Sequence, residues 1–414
     1  MTRIAFVLLH PSTHSLASFI RVKELSLNLE REGYESFILT PYERSYKISK
    51  KVRVIQLPNF PIIGAHLTPE IIRSKIYETT RKIYYNSNIQ LLLLNIIYKK
   101  YLYNNNNLNR NLLKIIKKYK IDIIQAEQDN AGLLVRGFKG HFKGPLVLDL
   151  HGIWTEELIS AGTISRYSTE YFLLQFLMKK LVSSFDLILV LSNEMKKYVI
   201  NNYKVAEKNV LLAPPGGYPR ISQIPDKKPP YKIVYAGTLT YSKAIDLMLE
   251  SIKIVNLKKP DVMFLFTKKG ELINNVSSLA GKLNVNIRFF WFNNVEKFYS
   301  FLSKCHIGLQ PLKLTIASRI NVPSKVIDYL SVGVPIVVND VKGWTRDIVK
   351  YKAGVVTDNT PEGFAEGMLW LLENPETINE YSINALRLIK ERYNWEVIAR
   401  NLARAYGRVL SEQE

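Results

Sequence analysis

The residues of this chain that are best placed for chemistry lie at 323–338, where a predicted short helix runs directly into an apolar strand. Proline suits the first turn of a helix, so Pro323 predicts the start of this one. Free N–H groups at a helix start attract a phosphate, and Lys325 adds a positive charge beside Ser324. Asp328, four residues after Ser324 and on the same helix face, can accept a hydrogen bond from a sugar hydroxyl. The segment is therefore suited to holding a nucleotide diphosphate by its phosphates and its ribose.

A second group of residues suited to phosphate binding follows another predicted strand. Gly237 and Thr238 come directly after the apolar run that ends at Ala236, and Lys243 stands six residues after Gly237. A glycine lets a ligand approach the backbone closely, and a lysine at this distance can reach a diphosphate. An ordinary surface lysine is the alternative interpretation of Lys243.

Polar residues also end two predicted strands in the first half of the chain. His151 follows the apolar run at 145–150, which predicts that its side chain lies at the carboxyl end of a strand. Ligands of open parallel sheets bind at that edge. Glu127 and Asp129 end the preceding strand and are candidates for binding a substrate hydroxyl, with solvated loop carboxylates as the alternative.

Short apolar runs alternate with amphipathic stretches along the whole chain, which is the pattern of parallel sheets with crossover helices. The predicted strands of the first half are Arg3–Leu9, Glu35–Leu39, Val52–Leu57, Ile121–Ala126, Pro145–Leu150 and Asp186–Leu191. Those of the second half are Lys232–Ala236, Val262–Thr267, Asn286–Phe290, His306–Gln310 and Pro335–Val338. Gly333 predicts the end of the helix that begins at Pro323, because a left-handed residue commonly follows a helix.

The predicted fold class is α/β, with two Rossmann-like, doubly wound domains that face a central cleft. A stretch rich in proline and glycine separates the two series of strands and predicts an interdomain linker. The predicted parts are an N-terminal domain at 1–213, a linker at 214–230, a C-terminal domain at 231–385 and a last helix at 386–414.

Composition narrows the class of protein. The 414 residues, 47% of them hydrophobic and 22% charged, allow two or three domains with ample cores. One cysteine, Cys305, excludes an internal disulfide framework and a cysteine zinc cluster, and a cytosolic setting fits best. We find no apolar run near the ~20 residues of a membrane span and no pattern of a signal peptide. The net charge of +21 fits nucleic acid, an anionic membrane surface or phosphorylated substrates.

Residues 71–120 concentrate that charge, with eleven Lys or Arg and one acid, Glu78. Tyrosines and aliphatic residues lie between the basic ones, which suits the plane of an anionic bilayer. RNA would use similar residues, but no nucleic-acid-binding module is recognisable, so we expect no nucleic-acid partner. A pair of core-packed helices with a solvated basic face is the alternative.

Together these motifs resemble those of glycosyltransferases with the GT-B fold, in particular the large retaining group-4 family, also called glycosyl transferases group 1. In that family a Gly-Arg pair after a strand is followed by a lysine. Here Gly237 and Lys243 keep their places, while Thr238 stands where the arginine usually is. The family's Glu-x7-Glu element has Asp328 at its second position in this chain and Ile320 at its first.

A subset of the family carries a Pro-x-Lys pattern followed by Glu/Asp-Tyr-Leu, which residues 323–330 match. The resemblance implies a nucleotide diphosphate sugar as donor and no metal ion or other cofactor, because two lysines and a helix start would do the work of a divalent ion. It implies catalytic roles for His151, Lys243 and Lys325. It places Gly237, Thr238, Trp291, Phe292, Pro323, Ser324 and Asp328 at the donor, and Ser15 in the loop where donor or acceptor approaches. We predict Ser15, Glu127 and Asp129 as acceptor-binding residues, the last two from their position at a strand end.

The sequence thus predicts a cytoplasmic glycosyltransferase, peripheral on the inner face of the cell membrane. It would pass a sugar, with retention, to a lipid-linked glycan or polysaccharide acceptor, in glycan biosynthesis or protein glycosylation. Two alternatives stay open. One is a sugar-nucleotide epimerase on the same fold, which would need clustered carboxylates and a catalytic histidine. The other is a non-catalytic protein that binds sugar nucleotides or polyanions, since one arginine and one glutamate of the family motifs are replaced.

Overall fold

A computed structural model describes residues 1–9, 16–41, 43–57, 106–225, 229–239, 243–270, 272–285 and 287–413. The chain forms two compact units. Unit 1 comprises Met1–Ala213 together with Ile398–Glu414, and unit 2 comprises Pro214–Val397. The residues at 214–225, which the sequence marks as part of a linker, therefore belong to unit 2.

Unit 1 is built on a sheet that, within the described residues, has eight strands in the order β3-β4-β2-β1-β5-β6-β7-β8. All neighbours are parallel except β3, which pairs antiparallel with β4. The strands are β1 Arg3–Val7, β2 Glu35–Thr40, β3 Tyr46–Lys47, β4 Val52–Gln56, β5 Ile123–Glu127, β6 Leu146–Asp149, β7 Leu187–Val190 and β8 Val210–Leu212. The helices between them are α1 Leu16–Arg31, α2 Asn106–Tyr119, α3 Gln128–Arg136, α4 Trp154–Ser160, α5 Thr169–Val182 and α6 Asn193–Tyr203.

Unit 2 has a parallel sheet whose described strands follow the order β11-β10-β9-β12-β13-β14. They are β9 Lys232–Tyr235, β10 Met263–Thr267, β11 Ile287–Phe290, β12 Ile307–Gln310, β13 Ile336–Asn339 and β14 Gly354–Thr357. The helices are α7 Ile245–Lys258, α8 Ile273–Lys282, α9 Val295–Leu302, α10 Ile316–Ile320, α11 Ser324–Ser331, α12 Thr345–Tyr351, α13 Pro361–Glu373 and α14 Pro375–Glu391. The last helix, α15 Trp395–Ser411, begins in unit 2 and belongs to unit 1 from Ile398 onward.

The strands form where the sequence predicts them because both of their faces are covered. In β9, Ile233 and Tyr235 pack into one hydrophobic core and Val234 into the core on the other side of the sheet. This alternation explains the nearly continuous apolar runs, which are typical of buried parallel strands. The predicted class of two doubly wound α/β domains is confirmed. The strands β3, β8 and β14, of two, three and four residues, were not predicted.

The helix α11 has the ends that the sequence predicts. Pro323 is its N-cap residue, with extended backbone angles of φ −69° and ψ 134°. Gly333, two residues after the last helical one, has φ +64°, a conformation that costs glycine little. The chain then enters β13 at Ile336.

The described part of the basic segment is α2. Its Leu112 and Ile116 are buried in unit 1, whereas Lys114, Lys117 and Lys118 are exposed. The apolar side of α2 therefore packs inward, while these lysines and Arg110 face solvent. Residues 71–105 lie outside the described residues, and so does Ser15. In the part of the chain that the structure describes, we find no helix of the length and apolarity that crossing a bilayer requires.

Candidate functional site

In unit 2, Tyr329 fixes the helix α11 to the carboxyl ends of two strands. Its hydroxyl accepts a hydrogen bond from the N–H of Ala236 at 2.7 Å. The same hydroxyl lies 3.2 Å from the carbonyl oxygen of Val234 and 3.3 Å from that of Leu309, to which it can donate. The start of α11 is thereby held beside the loop that follows β9, which is the edge where ligands of such sheets bind.

Lys325, in the first turn of α11, is enclosed at this edge. Its Nζ lies 4.0 Å from the centre of the Tyr235 ring. A Cβ atom at position 237 would lie 2.0 Å from the same nitrogen, so only Gly237 leaves room for it. We call Lys325, Tyr235 and Gly237 the Lys325 junction.

The Nζ of Lys325 is buried and has no hydrogen-bond partner among the described residues. Burial lowers the pKa of Lys325 well below its usual range, and the nearby charge of Lys243 lowers it further, while Asp328 opposes both. A buried cation without a partner is costly, and an anion is the partner that removes the cost. The junction therefore has the chemistry of an anion-binding site.

Asp328, one turn further along α11, belongs to a second polar contact. The hydroxyl of Tyr299 donates to its Oδ1 at 2.6 Å, and the guanidinium of Arg220 stacks 4.0 Å over the Tyr299 ring. Burial raises the pKa of Asp328 to about 6, against the lowering effects of Tyr299, Arg220 and Lys325. Among the described residues only Tyr299 hydrogen-bonds to this carboxylate, so Asp328 keeps acceptor capacity for a ligand hydroxyl.

In unit 1, a buried ion-pair cluster occupies the carboxyl ends of β5 and β6. Glu127 and Asp149 are direct partners in the register of the two strands, which places the two carboxylates side by side. Both side chains are 0% exposed. Arg21 of α1 binds Asp149 through two hydrogen bonds, from Nε to Oδ2 at 2.8 Å and from Nη2 to Oδ1 at 3.1 Å.

His151 completes this group, which we call the His151 cluster: Arg21, Glu127, Asp149 and His151. The Nε2 of His151 lies 3.0 Å from Glu127 Oε2 and 3.6 Å from Asp149 Oδ2. Its Nδ1 lies 3.2 Å from the Ser18 hydroxyl and 3.1 Å from the side-chain amide of Gln128. Both ring nitrogens are therefore held, and the orientation of the ring is fixed.

The electrostatics of the cluster favour a protonated histidine. Burial by itself would lower the pKa of His151, but the charges and hydrogen bonds of Asp149 and Glu127 raise it to about 9. Burial would raise the pKa of Asp149, but Arg21 and His151 lower it to about 2. Burial and the charge of Asp149 raise the pKa of Glu127, with His151 and Arg21 opposing. The cluster thus presents an imidazolium at the edge of the sheet.

The ligand atoms of Glu127, Asp149 and His151 lie within 4.8 Å of one another, the separation that a metal ion needs. However, Arg21 already takes both oxygens of Asp149, and its guanidinium carries the charge that a cation would supply. We therefore interpret the group as an ion-pair network. A reaction that needs no metal stays a prediction.

Gln128, which contacts His151 and the hydroxyl of Ser18, has a φ of +68°. This left-handed conformation is uncommon for any residue other than glycine. Such strain tends to occur at functional sites, where the surrounding structure enforces it. Here Gln128 is the first residue of α3 and directly follows β5, so the strained turn aims its amide at His151.

Family models match both halves of the chain. The model described as Glycosyltransferase Family 4 matches residues 20–216, and the model described as Glycosyl transferases group 1 matches residues 219–388. The chain belongs to the group 1, family 4 type of glycosyltransferases. It is therefore a transferase, and the two alternative classes considered from sequence, an epimerase and a non-catalytic binder, are not favoured.

Relatives and solved structures resemble this glycosyltransferase along its whole length. An uncharacterized glycosyltransferase of Methanocaldococcus jannaschii is 20% identical over 397 residues, which cover 92% of each chain. Sucrose-phosphate synthase of Thermosynechococcus elongatus superposes with a TM-score of 0.72 at 15% identity, covering 100% of both chains. HepE of Anabaena, in complex with UDP and glucose, gives a TM-score of 0.67 at 12% identity over 99% of this chain and 100% of its own. The GT-B fold is confirmed.

The structure of the glycosyltransferase brings several of the predicted site residues together and leaves others apart. Lys325, Gly237 and Asp328 lie around the start of α11, and the charge of Lys243 reaches Lys325. Ser324 and Thr238 are exposed beside them, and the Thr238 carbonyl accepts a hydrogen bond from Tyr235 at 3.1 Å. All of these roles stay predictions.

The two aromatic residues after β11 differ in their surroundings. Trp291 is 49% exposed and donates from Nε1 to Asn293 at 2.6 Å. Phe292 packs against Phe290 and Phe301, with ring centres 5.9 and 5.1 Å away. The ammonium of Lys269 lies 5.6 Å from the centre of the Trp291 ring. Trp291 is therefore the more exposed of the two rings and the better candidate to contact a base.

The alternative interpretation as a solvated loop carboxylate is wrong for Glu127. Glu127 is the last residue of β5, fully buried, and its two oxygens bind Gln125 and His151. This leaves it suited to orient His151 more than to contact an acceptor. Asp129 is half-buried, burial raises its pKa, and its Oδ1 accepts from the N–H of Asn130.

Sequence reasoning missed Arg21, Asp149, Tyr299 and Arg220. One signal was available for Asp149, since a charged residue inside the apolar run at 146–150 demands a buried partner. Nothing local identifies that partner as Arg21, because it is 128 residues away in sequence.

Proposed function

We propose that this glycosyltransferase uses a nucleotide diphosphate sugar as donor and binds the diphosphate at the Lys325 junction. The observation that carries the proposal is the buried Nζ of Lys325, which lacks a hydrogen-bond partner among the described residues. A phosphate oxygen would supply that partner and would restore the positive charge that burial disfavours. The N–H groups at the start of α11 add donors for the same anion. HepE, which has the same fold, is in complex with UDP and glucose.

The other predicted donor contacts fit around this anchor. Asp328 keeps acceptor capacity one turn along α11, where a ribose hydroxyl of the bound nucleotide would donate to it. Trp291 is the better candidate to contact the base, as the more exposed of the two rings. Lys243 adds charge beside Lys325, and the growing charge of the leaving diphosphate would be stabilised by both lysines.

For the second substrate we propose a lipid-linked glycan or polysaccharide acceptor, with retention of configuration at the transferred sugar. His151 supports this proposal as an oriented imidazolium whose raised pKa keeps it positively charged at neutral pH. Because both of its ring nitrogens are engaged within unit 1, we assign it an electrostatic role, the stabilisation of a nearby sugar or phosphate oxygen. No direct contact to an acceptor is assigned to Glu127, because its oxygens are already engaged.

Calorimetric titration of the full-length protein with UDP, GDP and ADP tests the donor site. The decisive variant is Lys325→Met, which keeps an apolar stem of similar length and removes the charge. It should weaken binding of the preferred nucleotide by about 1.5–3 kcal/mol, the range for a hydrogen bond to a charged group. Lys253→Met, at an exposed lysine on α7, is the matched control and should bind as the wild type does. Equal affinity of the two variants would remove Lys325 from the site.

Binding should also take up a proton. An anion beside Lys325 raises a pKa that burial has lowered, so at a pH between the free and bound values the complex holds more protons. Titrations in two buffers with different ionisation enthalpies measure this uptake, which should disappear in Lys325→Met. If nucleotide binding to the wild type shows no proton uptake at any pH from 6 to about 10, the assignment of Lys325 to the phosphate site is contradicted.

We further propose that the protein is peripheral on an anionic membrane, as the exposed lysines of α2 and the net charge of +21 support. Each Lys near such a surface contributes about 1 kcal/mol. Changing Lys114, Lys117 and Lys118 to Gln together should release the protein from anionic vesicles and leave UDP affinity unchanged. Equal sedimentation with neutral and anionic vesicles would refute an electrostatic contact.

A further inference from the structure

A chain of hydrogen bonds runs from the last helix of unit 1 to His151. The hydroxyl of Tyr406, in α15, donates to Oε1 of Gln125. The Nε2 of Gln125 donates to Oε1 of Glu127 at 2.8 Å, and Oε2 of Glu127 lies 3.0 Å from Nε2 of His151. Tyr406, Gln125 and Glu127 are each 0% exposed, so water does not replace a lost partner. We call Tyr406, Gln125, Glu127 and His151 the Tyr406 chain.

The Tyr406 chain has one consistent assignment of donors and acceptors. An imidazolium only donates and an ionised carboxylate only accepts, so Glu127 accepts from His151 at one oxygen and from Gln125 at the other. Gln125 then has its oxygen turned to Tyr406, whose hydroxyl donates. A glutamine amide combines a donor and an acceptor without charge, whereas leucine or glutamate at 125 would break the sequence of bonds.

We propose that Tyr406 is a positioning residue for His151 and acts through Gln125 and Glu127. This rests on the proposed role of His151 in sugar transfer. The hydrogen bond from Gln125 favours the ionised form of Glu127, which the neighbouring charge of Asp149 opposes. An ionised Glu127 holds the ring of His151 and the proton on its Nε2. Without the Tyr406 hydroxyl, the Gln125 oxygen would be buried and unpaired, so the amide would no longer be held in place and its hydrogen bond to Glu127 would weaken.

The direction of the effect follows from the groups around His151. The pKa of Glu127 rises further when it loses a donor, and a less negative Glu127 lowers the pKa of His151 from about 9. The other groups that face the cluster from described elements stay in place and do not reverse this. The titratable and charged ones are Arg21 of α1, Asp149 of β6 and Asp129 of α3.

The test is Tyr406→Phe in the full-length protein, which keeps the buried ring and removes the hydroxyl. The pKa of His151 is measured by NMR on protein labelled at its six histidines, with His151→Gln to assign the signal. We expect the pKa to fall by about half a unit to one unit, which corresponds to about 0.7–1.4 kcal/mol. The alkaline limb of the pH profile for sugar release from the donor should move down with it, while KM for the donor stays unchanged.

Tyr34→Phe is the matched control. Tyr34 also holds α15, because its hydroxyl donates to the Ala403 carbonyl at 2.9 Å and its ring lies edge-on to Tyr406 with centres 5.8 Å apart. It is not part of the Tyr406 chain, so its removal should leave the pKa of His151 unchanged. An equal shift in both variants would show that general loosening of α15 is the cause and would overturn the proposal.

The variant Gln125→Leu tests whether the effect of Tyr406 on His151 passes through Gln125. If Tyr406 acts through Gln125, adding Tyr406→Phe to Gln125→Leu should produce no further shift in the pKa of His151. An additive shift, or an unchanged pKa in Tyr406→Phe alone, would overturn the proposal. A shifted pKa with an unchanged rate of sugar release would support the positioning and would instead remove His151 from the proposed transfer mechanism.

Discussion

The substitution Lys325→Met should stabilise the ligand-free protein while it impairs donor binding. In the wild type the Nζ of Lys325 is buried without a hydrogen-bond partner among the described residues, and its neighbours include the charge of Lys243. A buried unsatisfied group costs about 1–3 kcal/mol, and more when it is charged. Methionine removes that cost and occupies a similar volume.

The stabilising interaction that Lys325→Met removes is smaller in free energy than the cost that it relieves. The contact of the ammonium with the Tyr235 ring, at 4.0 Å, is worth about 2 kcal/mol at most for a desolvated pair. A methionine sulfur in the same place regains about 0.3–1.5 kcal/mol from the ring. We therefore expect a net gain of about 1–2 kcal/mol in the free energy of unfolding. For a unit of this size, that is a rise of roughly 2–8 °C in melting temperature.

The lowered pKa of Lys325 also predicts how the stability difference between the two proteins changes with pH. Because the pKa of Lys325 is lower in the folded protein, the unfolded chain binds more protons, and wild-type stability rises with pH between the folded value and the ordinary one of about 10.5. The advantage of methionine should therefore be largest at neutral pH or below and shrink as pH approaches 10. Groups that do not interact with Lys325 contribute equally to both proteins and cancel in the difference.

Urea denaturation of wild type, Lys325→Met and the exposed control Lys253→Met at pH 7 and pH 9.5 measures these quantities. The control should differ from wild type by less than about 0.5 kcal/mol at both values. A loss of stability in Lys325→Met at pH 7, or a gain of equal size at both pH values, would refute the argument that burial of the Lys325 amino group destabilises the ligand-free protein.

Three further outcomes follow from the described contacts. Gly237→Ala should keep the fold, because the new Cβ atom meets the flexible end of the Lys325 side chain, which can move aside. That displacement should weaken UDP binding about tenfold or more in a titration, and an unchanged affinity would contradict the prediction. Asp328→Asn should remove the acid limb of nucleotide binding near pH 6, since the ionised carboxylate accepts from a ribose hydroxyl more strongly than the protonated acid does. A limb that persists in the variant would assign it to another group. Arg21→Met should lower the free energy of unfolding by about 3–5 kcal/mol at pH 7, because it leaves the buried charge of Asp149 without its main partner. That loss should diminish below about pH 4 as Asp149 becomes protonated, and a pH-independent loss would mean that packing is the cause.

Much of the fold could be predicted from sequence because its signals are local. Pro323 and Gly333 mark the ends of α11 through backbone preferences that hold in any context. His151 was predicted at a strand end because an apolar run precedes it. These are the parts of the site that depend on neighbours in sequence.

The remainder depends on partners that only the folded chain brings together. Burial of Glu127 could not be inferred locally, because Arg21, whose charge stabilises it, and Tyr406, which binds its partner Gln125, come from helices far away in sequence. Likewise, the Tyr299 that binds Asp328 is 29 residues before it, in a helix whose own pattern gives no hint of a ligand. Charge burial is a property of tertiary contacts, so the sequence shows which residues are unusual but not what neutralises them.

The division of unit 1 between the two parts of the chain has a consequence for how the protein is made. The strand β5, which ends at Glu127, and His151, which follows β6, leave the ribosome well before α15, which joins unit 1 only from Ile398. At about 5–20 residues per second, the stretch between His151 and Ile398 takes roughly 12–50 s to synthesise. During that time Tyr406 has not been synthesised, so the carboxamide oxygen of Gln125 lacks the hydroxyl that donates to it. A nascent or prematurely terminated chain that stops before Tyr406 would therefore lack the hydrogen bond that orients Gln125, and His151 would reach its final protonation state only after α15 has been synthesised.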